Sequence, residues 1–309
     1  MLLFAPPEFD SVALALRERI PQLCPGQFQS GRFANGELRI DIETTVKGKR
    51  CFVLATIAPP DARLLSTLLL AHTLRKDGAL EVVGILLYLA YSRQDKDKPH
   101  QSLAAAWSGA LMKASGFDRV ITIDEHSLED ERLFPIPLIS LSPARLFADA
   151  LKQNGLTQAT IIAPDQGAVG RCDAIKAAAG LSSDAVPYFE KQRTETGIVH
   201  SRFIGEVGTH VVLVDDILDT GATLVSACQR LFCAGVEDIQ IMVTHGLFTG
   251  DEWQGLWELG VSRIFCTDTV PPPAGIDRGR ILILSAVPLL AEALMGVAQR
   301  ADESRIWPS

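Results

Sequence analysis

The stretch VVLVDDILDTGAT at residues 211–223 combines an apolar run, two adjacent carboxylates and a glycine turn. Its apolar residues predict a strand that carries Asp215 and Asp216 to the edge of a sheet. Asp219 and Thr220 then precede a glycine that opens a helix, where amides and hydroxyls suit a phosphate monoester. The two carboxylates suit sugar hydroxyls, directly or through Mg²⁺, which prefers oxygen ligands. The competing interpretation is that these acidic residues only form a turn or cap a helix.

Apolar runs rich in Val and Ile alternate with amphipathic helical patterns along the chain. Continuous hydrophobicity indicates strands covered on both faces, and the alternation predicts doubly wound parallel sheets. The predicted strands are 51–56, 82–89, 120–125, 159–165, 210–216, 239–246 and 263–269. The predicted helices are 62–76, 102–115, 143–153, 171–179 and 222–234.

The composition is that of an ordinary globular protein with a large core. The chain has 309 residues, which favours two domains, and 47% of them are hydrophobic. Its formal net charge of −8 argues against a nucleic-acid partner. Apolar stretches are broken well short of the roughly 18 residues that a membrane span needs, so no membrane association is expected.

The compartment is predicted from the N-terminus and the cysteines. The opening MLLFAPPEFDS lacks the basic segment and long apolar run of a signal peptide. The six cysteines are scattered without a CxxC pair, which indicates free thiols in a reducing environment. A cytoplasmic enzyme is expected.

The sequence resembles a known family in segments that follow the family's order along nearly the whole chain. VVLVDDILDTGAT resembles the pentose-phosphate motif of the type I phosphoribosyltransferase fold. Other segments narrow the resemblance to the ribose-phosphate diphosphokinase family. They are RFANGELRIDIETTVKGKRCFVL (32–54), YSRQDKDK (91–98), VITIDEHS (120–127), IIAPDQGAVGR (161–171), EKQR (190–193), THGLFTG (244–250), TDTVP (267–271) and LSAVPLLAEAL (284–294).

The resemblance implies an α/β fold made of two similar doubly wound parallel-sheet domains of the type I phosphoribosyltransferase fold. A nucleotide-side domain is expected at 1–145, completed by a C-terminal helix at 283–309. A ribose 5-phosphate-side domain is expected at 146–282.

The resemblance also implies the site residues. Those expected to bind ATP are Phe33, Asn35, Glu37, Arg93, Gln94, Asp97 and His126. Those expected to bind ribose 5-phosphate are Asp215, Asp216, Asp219, Thr220, Gly221, Ala222 and Thr223. His126 and Asp165 are expected to hold Mg²⁺, and Lys191 and Arg193 are expected to be catalytic residues on a mobile loop. In the family the adenine contacts cross a subunit boundary, so a homo-oligomer with an interface ATP site is expected.

Taken singly, several of these residues have plainer interpretations. An Arg after a strand more often forms a surface salt bridge, and a His at a strand end is more often a turn residue. Asp165 could simply cap the following helix. Phe33 would be assigned to the core, and the polar stretch 190–197 to a solvated loop.

The implied reaction transfers the diphosphoryl group of Mg-ATP to the anomeric hydroxyl of ribose 5-phosphate. Its products are 5-phosphoribosyl 1-diphosphate and AMP, for nucleotide biosynthesis. A base phosphoribosyltransferase and a catalytically silent regulatory homologue remain as alternatives. The segment SLEDERLFP (127–135) departs from the family pattern, and its acidic side chains would repel anions. Weak or absent activation by phosphate is therefore expected.

Overall fold

The computed structural model describes the backbone of residues 1–125, 128–194 and 197–303, and the side chains of residues 1–125, 131–190 and 202–296. Its strands are β1 (Leu2–Phe4), β2 (Cys24–Pro25), β3 (Phe28–Arg32), β4 (Leu38–Ile42), β5 (Arg50–Ala55), β6 (Glu81–Leu86), β7 (Arg119–Ile123), β8 (Leu138–Leu141), β9 (Thr160–Ile162), β10 (Tyr188–Thr194), β11 (Gly197–Ile204), β12 (His210–Leu218), β13 (Asp238–Gly246), β14 (Val261–Thr267) and β15 (Ile281–Leu284).

The α-helices alternate with these strands over much of the chain. They are α1 (Asp10–Arg19), α2 (Ala62–Lys76), α3 (Ala104–Ala114), α4 (Leu128–Leu133), α5 (Ala144–Gln153), α6 (Val169–Ala179), α7 (Ala222–Cys233) and α8 (Val287–Glu303). Short 3₁₀ helices lie at Pro7–Phe9, Gln166–Ala168 and Glu252–Leu259. Within the described ranges, no helix combines the length and the apolar character that crossing a membrane requires.

The chain forms two compact units. Unit 1 comprises Met1–Leu141 together with Val287–Ser309, and unit 2 comprises Ser142–Ala286. Unit 1 is therefore discontinuous in sequence. Its last helix, α8, packs against α1, near the beginning of the chain.

A six-stranded parallel sheet forms the centre of unit 1, in the order β2-β1-β5-β6-β7-β8. Consecutive residues of β5 and β6 are buried, so both faces of these strands are covered. The chain passes from β1 through α1 to β2 on one side, and then returns to β5 on the other side of β1. The antiparallel hairpin β3–β4 lies within this return connection.

Unit 2 contains a five-stranded parallel sheet in the order β15-β14-β13-β12-β9. Successive residues of β12 point to opposite faces. Val211 and Leu213 belong to the core on the α7 side, whereas Val212 and Val214 belong to the core on the side of α5 and α6. The sheet is thus covered on both faces, as the continuous apolar run predicts.

The predicted strands and helices all occur, with shifts at their ends. The helix predicted at 62–76 matches α2, while the strand predicted at 210–216 continues to Leu218. The antiparallel hairpins β3–β4 and β10–β11 were not predicted. The residues of β3 are mostly exposed and polar, so β3 lacks the apolar run from which strands were predicted.

Candidate active site

The predicted acidic pair lies inside β12 and not in the turn after it. Strand β9 pairs with β12 only as far as Ile162 opposite Leu213. On the other side, β12 stays paired with β13 until Leu218 lies opposite Gly246. The carboxyl end of β12 therefore extends past its neighbour β9, and Asp215 and Asp216 lie on this extension.

Burial and charge distinguish the two carboxylates. Burial raises the pKa of Asp215 well above its ordinary value, and the carboxylates of Asp216 and Asp165 act in the same direction while Arg171 opposes them. Asp216 is buried, and its Oδ2 lies 3.9 Å from the guanidinium of Arg171. An acidic pair with a guanidinium near Asp216 suits hydroxyl or metal ligands, because either would relieve the repulsion between the carboxylates.

The predicted phosphate loop runs from the end of β12 into α7. Gly221 precedes α7 with a φ of +92°, a conformation that L side chains rarely adopt. A Cβ at this position would lie 2.8 Å from the Cα of Trp253. The glycine is thus required by its conformation and by close packing. The first-turn amides of α7 follow it, and amides at a helix N-terminus favour anions.

Backbone hydrogen bonds from the segment after β13 hold this loop in place. Leu247 and Phe248 donate to the carbonyl of Leu218, at 2.8 and 3.1 Å, and Thr249 donates to the carbonyl of Asp219 at 3.0 Å. The ring of Phe248 packs edge-on against Trp253, with centroids 4.9 Å apart. The predicted phosphate loop is consequently fixed on one side by backbone bonds and aromatic packing.

Asp165 follows β9 and caps the short helix Gln166–Ala168. Its Oδ1 accepts hydrogen bonds from the amides of Gly167, at 2.7 Å, and Ala168, at 3.2 Å. Asp165 is therefore a cap, as in the plainer interpretation, but of this short helix; the N-cap of α6 is Ala168, without a side-chain hydrogen bond. A metal-binding role for the same carboxylate stays a prediction.

The acidic residues fit Mg²⁺ only together with a substrate. The described part of the chain contains no group of three or more His, Cys, Asp or Glu that could hold a metal ion. Mg²⁺ bound to phosphates usually takes one or two carboxylates, with water and phosphate oxygens as its other ligands. Asp165, Asp215 and Asp216 follow or belong to the neighbouring strands β9 and β12, which fits such a shared site.

The predicted catalytic pair lies on the hairpin β10–β11 and not on a loop. The backbone of Lys191 pairs with His200, and that of Arg193 pairs with Ile198, after a register shift at Glu190. The side chains of Lys191 and Arg193 lie outside the described residues. Their roles stay predictions.

In unit 1 the predicted adenine contacts lie at the tip of the hairpin β3–β4. Phe33 is 52% exposed, so its assignment to the core is wrong. The guanidinium of Arg39 lies 5.8 Å from the centroid of its ring. Asn35 Oδ1 accepts a hydrogen bond of 3.2 Å from the amide of Glu37, which closes the turn. The tip thus presents an exposed aromatic ring on a hydrogen-bonded turn.

The predicted ATP residues after β6 lie on an exposed loop. Arg93, Gln94 and Asp97 are all exposed. Gln94 is held through both its side chain and its backbone. Its side-chain Oε1 accepts a hydrogen bond from the hydroxyl of Ser102, and its backbone carbonyl accepts one of 3.3 Å from the amide of Ala105. The side chains can therefore reach a ligand from a loop that is tied to the start of α3.

Tyr91 anchors the beginning of the same loop. Its hydroxyl donates to Oδ1 of Asp61 at 2.5 Å, and this bond raises the pKa of Tyr91. Its ring packs edge-on against Trp107, with centroids 5.5 Å apart. Tyr91 has a φ of +73°, which is unusual for a bulky residue, so side-chain contacts hold a strained turn just before Arg93.

The predicted His126 lies outside the described residues. The strand before it, β7, ends at Ile123, and Asp124 turns the chain with a φ of +49°. The amide of Glu125 then donates to the hydroxyl of Ser140 at 2.9 Å. Phosphate and metal binding by His126 stay predictions.

Sequence reasoning missed Arg171, which ends the quoted segment IIAPDQGAVGR. Its side chain is 14% exposed, and its guanidinium reaches toward Asp216 from the first turn of α6. The signal was an Arg on the helix that follows β9 and Asp165. A charge on that helix can point back toward the carboxyl ends of the strands.

Polar residues at the carboxyl ends of β13 and β14 form hydrogen bonds with each other. His245 Nδ1 and Thr269 Oγ1 share a hydrogen bond of 2.9 Å, and Thr267 Oγ1 donates to the carbonyl of Thr244 at 2.6 Å. All four residues are buried. This network links the ends of β13 and β14, so a polar residue after a strand is not by itself a ligand contact.

Two family models match the chain. The N-terminal domain of ribose phosphate pyrophosphokinase matches residues 10–116, and the phosphoribosyl synthetase-associated domain matches residues 176–306.

Curated relatives and a solved structure agree with these matches. The chain is 32% identical to a ribose-phosphate pyrophosphokinase of Campylobacter jejuni over 86% of each chain. It is 31% identical to one of Corynebacterium glutamicum over 89% of this chain and 86% of the relative. The crystal structure of phosphoribosylpyrophosphate synthetase from Mycobacterium smegmatis superposes with a TM-score of 0.86 at 25% identity, covering 97% of this chain and 99% of that one.

The predicted α/β class with two doubly wound units is thereby confirmed, as is the resemblance read from the sequence. The acidic extension of β12 and the glycine turn before α7 lie within the second family match. The chain belongs to the ribose-phosphate pyrophosphokinase family.

Proposed function

We propose that the chain transfers the diphosphoryl group of ATP to the anomeric hydroxyl of ribose 5-phosphate. The hydroxyl oxygen forms a bond to the β-phosphorus, and the bond from that phosphorus to the α,β-bridging oxygen breaks. AMP leaves with the bridging oxygen, and the hydroxyl proton passes to solvent. The observation that carries the proposal is the acidic pair of β12 followed by the glycine turn into α7, in a chain of this family.

Ribose 5-phosphate is proposed to bind along the end of β12. Asp219 to Thr223 and the first-turn amides of α7 would hold its phosphate, because a helix N-terminus presents N–H groups to an anion. Asp215 and Asp216 would accept hydrogen bonds from the ribose hydroxyls. The bonds from Leu247, Phe248 and Thr249 would keep this surface rigid while substrate binds.

ATP is proposed to bind through residues of unit 1. Arg93, Gln94, Asp97 and His126 would contact the nucleotide from one subunit. Phe33, Asn35 and Glu37 would contact adenine from the hairpin tip of another. A half-exposed ring on a closed turn suits stacking against a base.

Mg²⁺ is proposed as the cofactor, held by His126 and Asp165 together with the substrate phosphates. When bound, it would neutralise charge on the phosphate oxygens. Lys191 and Arg193 would stabilise the charge that develops on the transferred group.

A labelling experiment tests the reaction. The protein is incubated with ATP labelled at the β-phosphate, ribose 5-phosphate and Mg²⁺, and products are resolved by chromatography. We expect the label in phosphoribosyl diphosphate and unlabelled AMP in equal amount. Consumption of phosphoribosyl diphosphate with a nucleobase would instead indicate a base phosphoribosyltransferase, and no turnover would indicate a silent homologue.

A matched pair of variants tests the hairpin. Lys191→Ala should abolish turnover while leaving the unfolding midpoint unchanged. Lys152→Ala, which removes an exposed lysine from α5 of the same unit, should leave turnover unchanged. Retained turnover in Lys191→Ala would remove this residue from the mechanism.

We further propose a homo-oligomer in which the hairpin tip completes a neighbour's site. Phe33→Ala should raise the KM for ATP about tenfold through lost stacking. Phe232→Ala is the control, because Phe232 is 54% exposed in unit 2. Mixing the inactive Lys191→Ala chain with Phe33→Ala chains should restore normal ATP affinity at some sites, and a strictly monomeric mass in light scattering would contradict the proposal.

The cytoplasm is proposed as the compartment. All six cysteines are free thiols. Four are buried, and burial raises the pKa of Cys228 to about 12, which keeps this thiol protonated and unreactive. Fractionation of the producing cells, followed by immunodetection, checks this localisation.

A further inference from the structure

Unit 1 contains a cavity of about 320 Å³ at the carboxyl ends of β1 and β5. Pro6 and Pro7, which follow β1, line one side of it, and Thr56, which follows β5, lines another. From β1 the chain winds to β2 on one side, whereas from β5 it winds through β6, β7 and β8 on the other. The cavity therefore lies at the switch point of the sheet, where doubly wound folds bind ligands.

The walls of the cavity combine an apolar floor with polar groups at the sides. Phe28, Val53 and Leu70 provide apolar surface from the hairpin, β5 and α2. Hydroxyls are contributed by Ser30 and Ser66, and neither makes a hydrogen bond to the described residues. Sites for small molecules have this composition, and their volumes begin at about 300 Å³.

Two guanidinium groups line the cavity and are held in place by backbone carbonyls. Nη1 of Arg32 donates to the carbonyl of Gly36 at 2.5 Å, and Nη1 of Arg63 donates to that of Pro59 at 2.6 Å. Within the described part of the chain, Nη2 of both residues has no acceptor. Each guanidinium is thus oriented but keeps donors for a ligand.

One carboxylate stands among the described residues that line the cavity. Glu8 Oε1 lies 4.0 Å from Nε of Arg63, at the limit of an ion pair. A single distant carboxylate leaves the cavity with a net positive charge from two arginines. Positive charge beside an apolar floor favours an anion that also carries an apolar body.

A buried hydroxyl adds a further unsatisfied group. Thr56 is 2% exposed, and its Oγ1 accepts a hydrogen bond of 3.3 Å from the amide of Ala58. No acceptor for its own proton is present among the described side chains or backbone. A buried donor without an acceptor costs free energy, which a ligand oxygen in the cavity would recover.

We propose that this switch-point cavity is a second ligand site, which binds a small organic anion consisting of an apolar ring and one phosphate or carboxylate group. The guanidiniums of Arg32 and Arg63 bind the anionic group, and the floor of Phe28, Val53 and Leu70 receives the ring. Arg93, Gln94 and Asp97, which are proposed to bind ATP after β6, do not line the cavity.

The test uses the full chain with phenyl phosphate, benzoate and benzyl alcohol as probes. Binding is measured by calorimetry with ribose 5-phosphate and AMP present in saturating amounts, so that other phosphate sites are filled while no diphosphoryl transfer takes place. We expect saturable binding of phenyl phosphate or benzoate, and binding of uncharged benzyl alcohol that is at least about tenfold weaker.

Variants locate the binding. Arg63→Gln and Arg32→Gln should each weaken binding of the anionic probe about tenfold, since each removes a charged donor. Arg19→Gln, which removes an exposed arginine from α1, should leave the affinity unchanged. Ser66→Phe should fill the cavity and abolish binding while circular dichroism shows the native spectrum.

Three results would overturn the proposal. Neither anionic probe binds the wild-type chain, or both arginine variants bind the anionic probe as tightly as the wild-type chain does, or benzyl alcohol binds as tightly as the anionic probe. Each would mean that the cavity does not select an anion through these guanidiniums.

Discussion

Replacing Gly221 with alanine tests whether packing against Trp253 holds the turn before α7. The substitution has two costs. A residue with a Cβ at a φ of +92° loses about 1–2 kcal/mol relative to glycine. The added methyl would also lie 2.8 Å from both Cα and Cβ of Trp253, and such overpacking costs about 1–3 kcal/mol. The sum predicts a loss of about 2–5 kcal/mol in the free energy of unfolding.

Gly235 offers a matched control just beyond the other end of α7. Its φ is +83°, yet a Cβ there would meet no heavy atom within 4 Å. Gly235→Ala should therefore lose only about 1–2 kcal/mol. Both changes reduce the freedom of the unfolded chain equally, so the difference between the variants isolates the contact with Trp253.

Urea unfolding followed by tryptophan fluorescence measures both variants. We expect Gly221→Ala to unfold at a clearly lower urea concentration than Gly235→Ala. We also expect kcat/KM for ribose 5-phosphate to fall at least about tenfold in Gly221→Ala, because the amides before α7 move when Trp253 is displaced. Equal losses of stability in the two variants would refute the view that this contact constrains the phosphate loop.

Three further predictions concern charge and thiols. Because the pKa of Asp215 is raised in the folded state, the folded protein binds the proton of this carboxyl group more tightly than the unfolded chain does. The protonated carboxyl group therefore makes its full contribution to stability below pH 3.8, the ordinary pKa, and this contribution is lost as the pH rises through the folded pKa. Asp215→Asn should therefore raise the urea concentration at the midpoint of unfolding at pH 8 but not at pH 3. The same variant should lose turnover. Arg171→Gln should lower kcat/KM for ribose 5-phosphate about tenfold by leaving buried Asp216 without its nearby charge, and Arg171→Lys should recover part of it. A thiol reagent should modify the exposed Cys24 and Cys233 in the native protein, and the remaining thiols only in urea.

The sequence alone was sufficient for those parts of the fold that rest on continuous apolar runs. The run at Val211–Val214 predicts a strand covered on both faces, and β12 has separate cores on its two faces. The hairpin β3–β4 could not be predicted in this way. Its residues are largely exposed, and its strands are defined by backbone pairing to each other and not by an apolar face.

The site shows the same division between local and distant determinants. Asp215, Asp216 and Gly221 are neighbours in one segment, so their spacing carried the prediction. The contact of Gly221 with Trp253 and the approach of Arg171 to Asp216 join residues far apart in sequence. Such pairs become visible only when the strands and helices between them are placed.

The packing of α8 against α1 has a consequence for synthesis of the chain. The last segment of unit 1 begins at Val287, so a ribosome completes all of unit 2 before it supplies α8. Unit 2, although second in the sequence, is the first to have all of its residues available for folding. Premature termination near the C-terminus would accordingly damage the unit that contains the N-terminus. It would uncover α1 and leave the continuous unit Ser142–Ala286 whole.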